Sequence, residues 1–207
     1  MTALGRDLTD DQAELPVPAC PQWTVRQVFA HQAGVAADIL GGRLDGVTTD
    51  AWTDRQVAER ADRSLTEILD EWDGDAPRVL EAMAPMGDAV DPRMVIDIWT
   101  HDQDVRSAVD RPGHRDDATA TWVAELLQAN AERRFIGADL SPTAVAFGSD
   151  PVDVAVVADP FEFSRAAVGR RSPAQVSGWA WSVEDPDPYV ALIPVFTARS
   201  SDLIEPA

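Results

Sequence analysis

The chain contains no lysine: all 17 basic residues among its 207 are arginine. That absence removes Schiff-base chemistry and lysine-based phosphate loops from consideration. Cysteine occurs once, as Cys20, so no internal disulfide is available, and nothing else points to an oxidising compartment. No run of 18 apolar residues is present, which excludes a helical membrane span. Met1 to Leu15 is polar and acidic, without the basic start and apolar core of a secretory signal, so the expected location is the cytoplasm. Positive charge is scarce too. Against 36 acidic residues the arginines leave a formal net charge of −19, a field that repels nucleic-acid phosphates and anionic membrane surfaces alike. Neither partner is expected.

What is present suits a folded domain or two. Hydrophobic residues make up 45% of the chain, enough for a sizeable core. The arginine-for-lysine, Ala/Val/Asp-rich usage is that of a GC-rich genome.

The first half carries explicit helix starts. Thr24 with Gln27 forms a capping box that opens a run from Val25 to Leu40, which Gly41-Gly42 can stop. The same pattern recurs at Thr53/Gln56 and at Ser64/Glu67. The latter opens a helix with Leu65, Ile68, Leu69, Trp72, Val79 and Leu80 on its apolar stripe, kinked or broken at Gly74 and Pro77. Asp91-Pro92 starts a helix to about Val109, and Asp116 or Asp117 starts a fourth through Trp122 to about Ile136. Four amphipathic helices joined by modest loops predict a bundle.

After Gly137 the pattern changes. Ala144 to Phe147 and Val152 to Val157 are β-branched runs around Gly148-Ser149-Asp150-Pro151, a hairpin-like signature. A short helix from Pro160 to Val168, a capping box at Ser172/Gln175 and an aromatic strand from Val176 to Trp181 follow. The expectation is an α+β protein: a helical bundle over residues 1–140 and a small α/β C-terminal domain over 141–207.

Three histidines invite inspection. His31 sits mid-helix between Val28 and Val35. Asp97 and His101 lie four apart on the third long helix and share a face, roughly 5–6 Å between Cβ atoms. Two imidazoles and a carboxylate facing a bundle interior make the ligand set of a catalytic zinc with one position open. Spacing alone slightly favours a plainer reading, a hydrogen-bonded flank histidine beside a surface Asp–His pair. Cys20 precedes a helix N-terminus, where a thiolate would be favoured, but no base is evident beside it, and it reads as a small apolar residue packed by Pro21 and Trp23. His114 falls in an arginine-rich turn and receives no role. Trp72, Trp99 and Trp122 fall on apolar stripes and are read as core.

Taken in order, several segments resemble the mycothiol-dependent maleylpyruvate isomerase family. They are Cys20-Pro21-Gln22-Trp23-Thr24-Val25-Arg26 followed by His31, Ala51-Trp52-Thr53-Asp54, and Glu71-Trp72-Asp73. Trp99-Thr100-His101-Asp102-Gln103-Asp104-Val105-Arg106 with Arg111-Pro112-Gly113 belongs to the same set. So does Asp159-Pro160-Phe161-Glu162 with Gly169-Arg170-Arg171-Ser172. The resemblance runs from about Leu15 to Leu203.

It implies a DinB-like four-helix bundle holding a divalent metal, usually zinc, on His31, Asp97 and His101. Asp97 departs from the family pattern, which has glutamate there, one methylene longer. The implied cofactor is mycothiol, whose thiolate would add to and leave a small electrophile, or displace a group from it. Asp104 is the candidate acceptor behind an imidazole. Arg170 and Arg171 are candidates to hold a substrate or cofactor carboxylate. The implied function is a metal-dependent, mycothiol-using isomerase or S-transferase, monomeric or homodimeric. The alternative is a catalytically silent DinB-like ligand-binding or stress-related dimer.

Overall fold

A computed structural model of the chain describes residues 1–148 and 154–206. Contacts divide it into two compact units, Met1–Arg111 and Pro112–Ala207. The architecture is α+β, a helical N-terminal part and a small α/β C-terminal part, as expected. No helix among the described residues is long and apolar enough to cross a membrane.

The first unit contains α1 (Thr2–Arg6), α2 (Asp10–Ala13), α3 (Val25–Gly41), α4 (Asp50–Ala58), α5 (Leu65–Met83), a 3-10 turn at Ala84–Ala89, and α6 (Arg93–Ala108). Capping boxes form at Thr24/Gln27 and Ser64/Glu67 as the sequence indicates, and also at Thr9/Gln12, which opens a helix the sequence reading passed over. The third expected box does not form. The hydroxyl of Thr49 caps α4 by accepting from the Trp52 N–H, and Thr53 lies inside the helix with its hydroxyl on the Asp50 carbonyl. Thr49→Ala is therefore expected to cost about 1 kcal/mol. Thr53→Ala is expected to stay within about 0.5 kcal/mol. Urea unfolding of the two variants checks this.

Helix α5 runs unbroken through Gly74 and Pro77. An interior proline forfeits one helical hydrogen bond and costs roughly 3 kcal/mol. Trp72 before it and Val79 after it are both buried, and burial at about 1.5–3 kcal/mol for a large apolar side chain outweighs that loss. Leu80, expected on the stripe, is exposed. The core lies where α3 packs on α5, around Val28, Phe29, Ala33, Ile68 and Leu69, with Phe29 edge-on to Trp72 at 6.4 Å. Helix α6 packs on α3 as well.

The second unit holds α7 (Ala118–Gly137), β1 (Ala144–Ala146), β2 (Val154–Val157), α8 (Pro160–Ala167), α9 (Pro173–Ser177), β3 (Ala180–Trp181) and α10 (Asp187–Val190). Asp117 caps α7, the helix expected to be the fourth of the bundle. Its buried stripe, Val123, Leu127, Ala131 and Phe135, repeats every fourth residue, and the helix contacts α8 and β1, with Phe135 edge-on to Tyr189 at 4.9 Å. Its contacts thus fall with the C-terminal unit, one helix earlier than a boundary near residue 140. Trp122 faces outward on α7, 40% exposed, and is not core.

The sheet order is β1-β2-β3, with β1–β2 parallel and β2–β3 antiparallel. A hairpin across Gly148 to Pro151 would have made the first pair antiparallel, so that expectation is corrected; Ser149 to Asp153 fall outside the described residues. The aromatic strand is likewise shorter than expected. Ser172 does cap α9 with Gln175 in a reciprocal box, but the helix takes residues through Ser177 and leaves only Ala180–Trp181 extended.

Candidate metal centre

Adjacent helices α3 and α6 bring three candidate ligands together. His31 and Gln32 come from the buried face of α3, and Asp97 and His101 from one face of α6, a turn apart. His31 Nε2 lies 3.5 Å from Asp97 Oδ2, and His101 Nε2 lies 3.6 Å from Asp97 Oδ1. The three ligand atoms all fall within 4.8 Å of one another. Ligands bound at about 2.0–2.2 Å around a tetrahedral ion sit roughly 3.3 Å apart, so the two measured edges need little adjustment. Both histidines are buried, whereas the Asp97 side chain keeps 37% of its surface, which leaves one approach to the centre open.

The carboxylate is held in place. Gln32 Nε2 donates to Asp97 Oδ2 at 2.7 Å. Removal from water would raise the Asp97 carboxyl. The charges that His101 and His31 carry when protonated, with the hydrogen bond His31 then gives, and the bond from Gln32 outweigh that and bring it down to about 2. Asp97 is therefore an anion at any pH in the ordinary working range. The rings are held as well: Trp23 lies 5.1 Å from His31 and 5.8 Å from His101, centroid to centroid.

Behind each imidazole, on the Nδ1 side, stands an oxygen. For His101 it is Asp104 Oδ2 at 3.1 Å, on a carboxylate with no solvent exposure. For His31 it is Gln56 Oε1 at 2.8 Å, from α4. Sequence reasoning had placed Asp104 here but had spent Gln56 on a helix cap. The signal that would have found it is Gly34 on α3, where any Cβ would come within 2.5 Å of the Gln56 Cβ. The glycine lets α4 approach α3 closely enough for the amide to reach the ring.

Cys20 is buried, and its thiol donates to Asp104 Oδ2 at 3.9 Å. Cys20, His101 and Asp104 form a second group with ligand atoms within 4.8 Å. All three are buried: the Cys20 thiol donates to Asp104, and the Asp104 carboxylate lies 3.1 Å from His101 Nδ1 as a charge contact without hydrogen-bond geometry, so this group packs behind His101. His114 is exposed and pairs with Asp117. Arg170 and Arg171 lie in the second unit. Arg170 donates to the Val168 carbonyl. Arg171 is committed to the chain's own carboxylates, Glu162 and Glu205.

Residues 1–118 match the family model described as the mycothiol maleylpyruvate isomerase N-terminal domain. No curated protein and no solved structure matches the chain. The matched span takes in His31, Gln56, Asp97, His101 and Asp104 and stops short of Arg170 and Arg171.

Proposed function

Because the chain belongs to the mycothiol maleylpyruvate isomerase N-terminal domain family, we propose that it is a DinB-like, mycothiol-associated protein that holds a divalent cation, zinc foremost, on His31, Asp97 and His101. The observation that carries this reading is the convergence of two imidazole nitrogens and one carboxylate within 4.8 Å on neighbouring helices. The donor set fits such an ion. It comprises two imidazole nitrogens and one anion, and an oxygen stands on the Nδ1 side of each ring, hydrogen-bonded in the case of His31. Bound there, a cation of this class would stabilise the thiolate of a small thiol near neutral pH.

The chain's own groups supply the rest. Gln32 fixes the Asp97 carboxylate, and the Asp104 carboxylate stands 3.1 Å from His101 Nδ1 while His101 Nε2 faces Asp97 at 3.6 Å. Trp23 lies beside both rings. The activity that follows is isomerisation of, or thiol transfer to, a small electrophile. Arg170 and Arg171 have a smaller place in it than the sequence suggested, since Arg171 already binds two carboxylates.

The test is turnover. Zinc-loaded protein with mycothiol and a cis-configured unsaturated keto-acid or a simple alkylating electrophile is expected to consume substrate above the uncatalysed rate. That activity should disappear on chelation and return with zinc. Binding of mycothiol without turnover of either substrate class would replace the enzyme reading with that of a silent ligand-binding member of the family.

A further inference from the structure

We infer that Gln56, oriented by Asp38, sets the tautomer of His31 and thereby keeps its Nε2 free of a proton. Gln56 and Asp38 are both fully buried, on α4 and α3. Asp38 accepts from Arg43 Nε at 2.7 Å, from Arg55 Nη2 at 2.8 Å and from Gln56 Nε2 at 2.7 Å. A carboxylate flanked by two guanidinium groups only accepts, so the amide of Gln56 must turn its nitrogen towards Asp38. Its oxygen then faces His31 Nδ1 at 2.8 Å, and an amide oxygen also only accepts. The proton of neutral His31 therefore sits on Nδ1, and Nε2 carries the lone pair.

This arrangement opposes what the ring would otherwise do. Nε2 lies 3.5 Å from the Asp97 carboxylate, which attracts a proton to that nitrogen. A proton there would occupy the lone pair a cation needs. The chain Arg43/Arg55, Asp38, Gln56 holds it on the opposite side of the ring. Gly34, one turn beyond His31, admits the relay, because a Cβ at that position would meet Gln56 Cβ at 2.5 Å and Cγ at 2.7 Å.

The tautomer stands on hydrogen bonding alone; only its consequence for cation affinity rests on the proposed metal centre. Long-range nitrogen–proton NMR of the imidazoles in metal-free protein, at a pH where the ring is neutral, reads it directly. Wild type is expected to show His31 as the Nδ1–H form. Gln56→Met is expected to move it towards the Nε2–H form and to weaken zinc binding by about 10–100-fold. Should Gln56→Met fail to fold, Asp38→Asn, which frees the Gln56 amide to turn over, is expected to shift the tautomer in the same direction. An Nε2–H form in wild type, or an Nδ1–H form unchanged in a folded variant, overturns the inference. A tautomer that shifts as stated while neither protein binds zinc upholds it and removes the metal reading instead.

Discussion

Alanine at His31 or at His101 is expected to abolish stoichiometric zinc binding, measured by competition against a chromophoric chelator. Each imidazole supplies one of three converging ligand atoms, and two ligands no longer close a site around the ion. Loss of an outer partner typically weakens a metal site by about 10–100-fold, and loss of a ligand itself should exceed that. His114→Ala is the control. That ring is exposed, pairs with Asp117 in the second unit and should leave zinc binding unchanged. Asp97→Asn belongs with the ligand variants. It keeps the shape of the side chain and removes the one anion of the set, so it is expected to weaken zinc binding without unfolding the protein. Equal affinity in wild type and all of these variants would empty the centre of meaning.

The second large effect lies in the other unit. Arg165 and Arg171 are almost completely buried, and one carboxylate, Glu205, accepts from both: from Arg165 Nη2 at 2.6 Å and from Arg171 Nη2 at 2.8 Å. Glu162 adds a second partner for Arg171. Removing one member of a buried ion pair leaves a desolvated charge, which costs about 3–5 kcal/mol. Glu205→Gln is therefore expected to destabilise the second unit by that order, seen as an earlier urea midpoint. Glu184→Gln, at an exposed position, should change little. The segment that carries Glu205 is tied down along its length. Gln175 bonds both the N–H and the carbonyl of Leu203, and Ser172 donates to Asp202 at 2.5 Å. A Glu205→Gln protein as stable as wild type would show the cluster to be energetically idle.

How much of this was legible beforehand divides along locality. The helix starts at Thr24, Ser64, Asp117 and Ser172 are read from stretches of no more than four residues, and all formed. So was the pairing of Asp97 with His101, because a four-residue spacing fixes a shared helix face. That His31 meets them depends on the packing of α3 on α6, which family resemblance suggested and periodicity could not. Gln56 was misread because Thr53-Asp54-Arg55-Gln56 matches a capping pattern, whereas Thr49 has a tryptophan at the position where a box has its glutamine. The local pattern is satisfied only at Thr53, yet the helix starts at Thr49, and the close approach at Gly34 turns Gln56 to other use.

Strand pairing failed for the same physical reason. Turn residues between two β runs favour a hairpin, but the direction in which β2 runs beside β1 is set by long-range packing and not by the turn residues. The buried ion cluster had no local signal at all, since Glu205 is 40 residues from Arg165 and 34 from Arg171. Of the two, only Arg171 stands out in the sequence, beside Arg170, as a possible anion binder. The anion they bind is supplied by the chain.

One measurement bears most directly on the central claim: X-ray absorption at the zinc edge of protein loaded with one equivalent of zinc, in wild type and in Cys20→Ser. The account predicts nitrogen and oxygen ligands alone at about 2.0–2.2 Å, with the outer scattering of two imidazoles, the same in both proteins. A sulfur ligand near about 2.3 Å that vanishes in Cys20→Ser would place the ion among Cys20, His101 and Asp104 and contradict it.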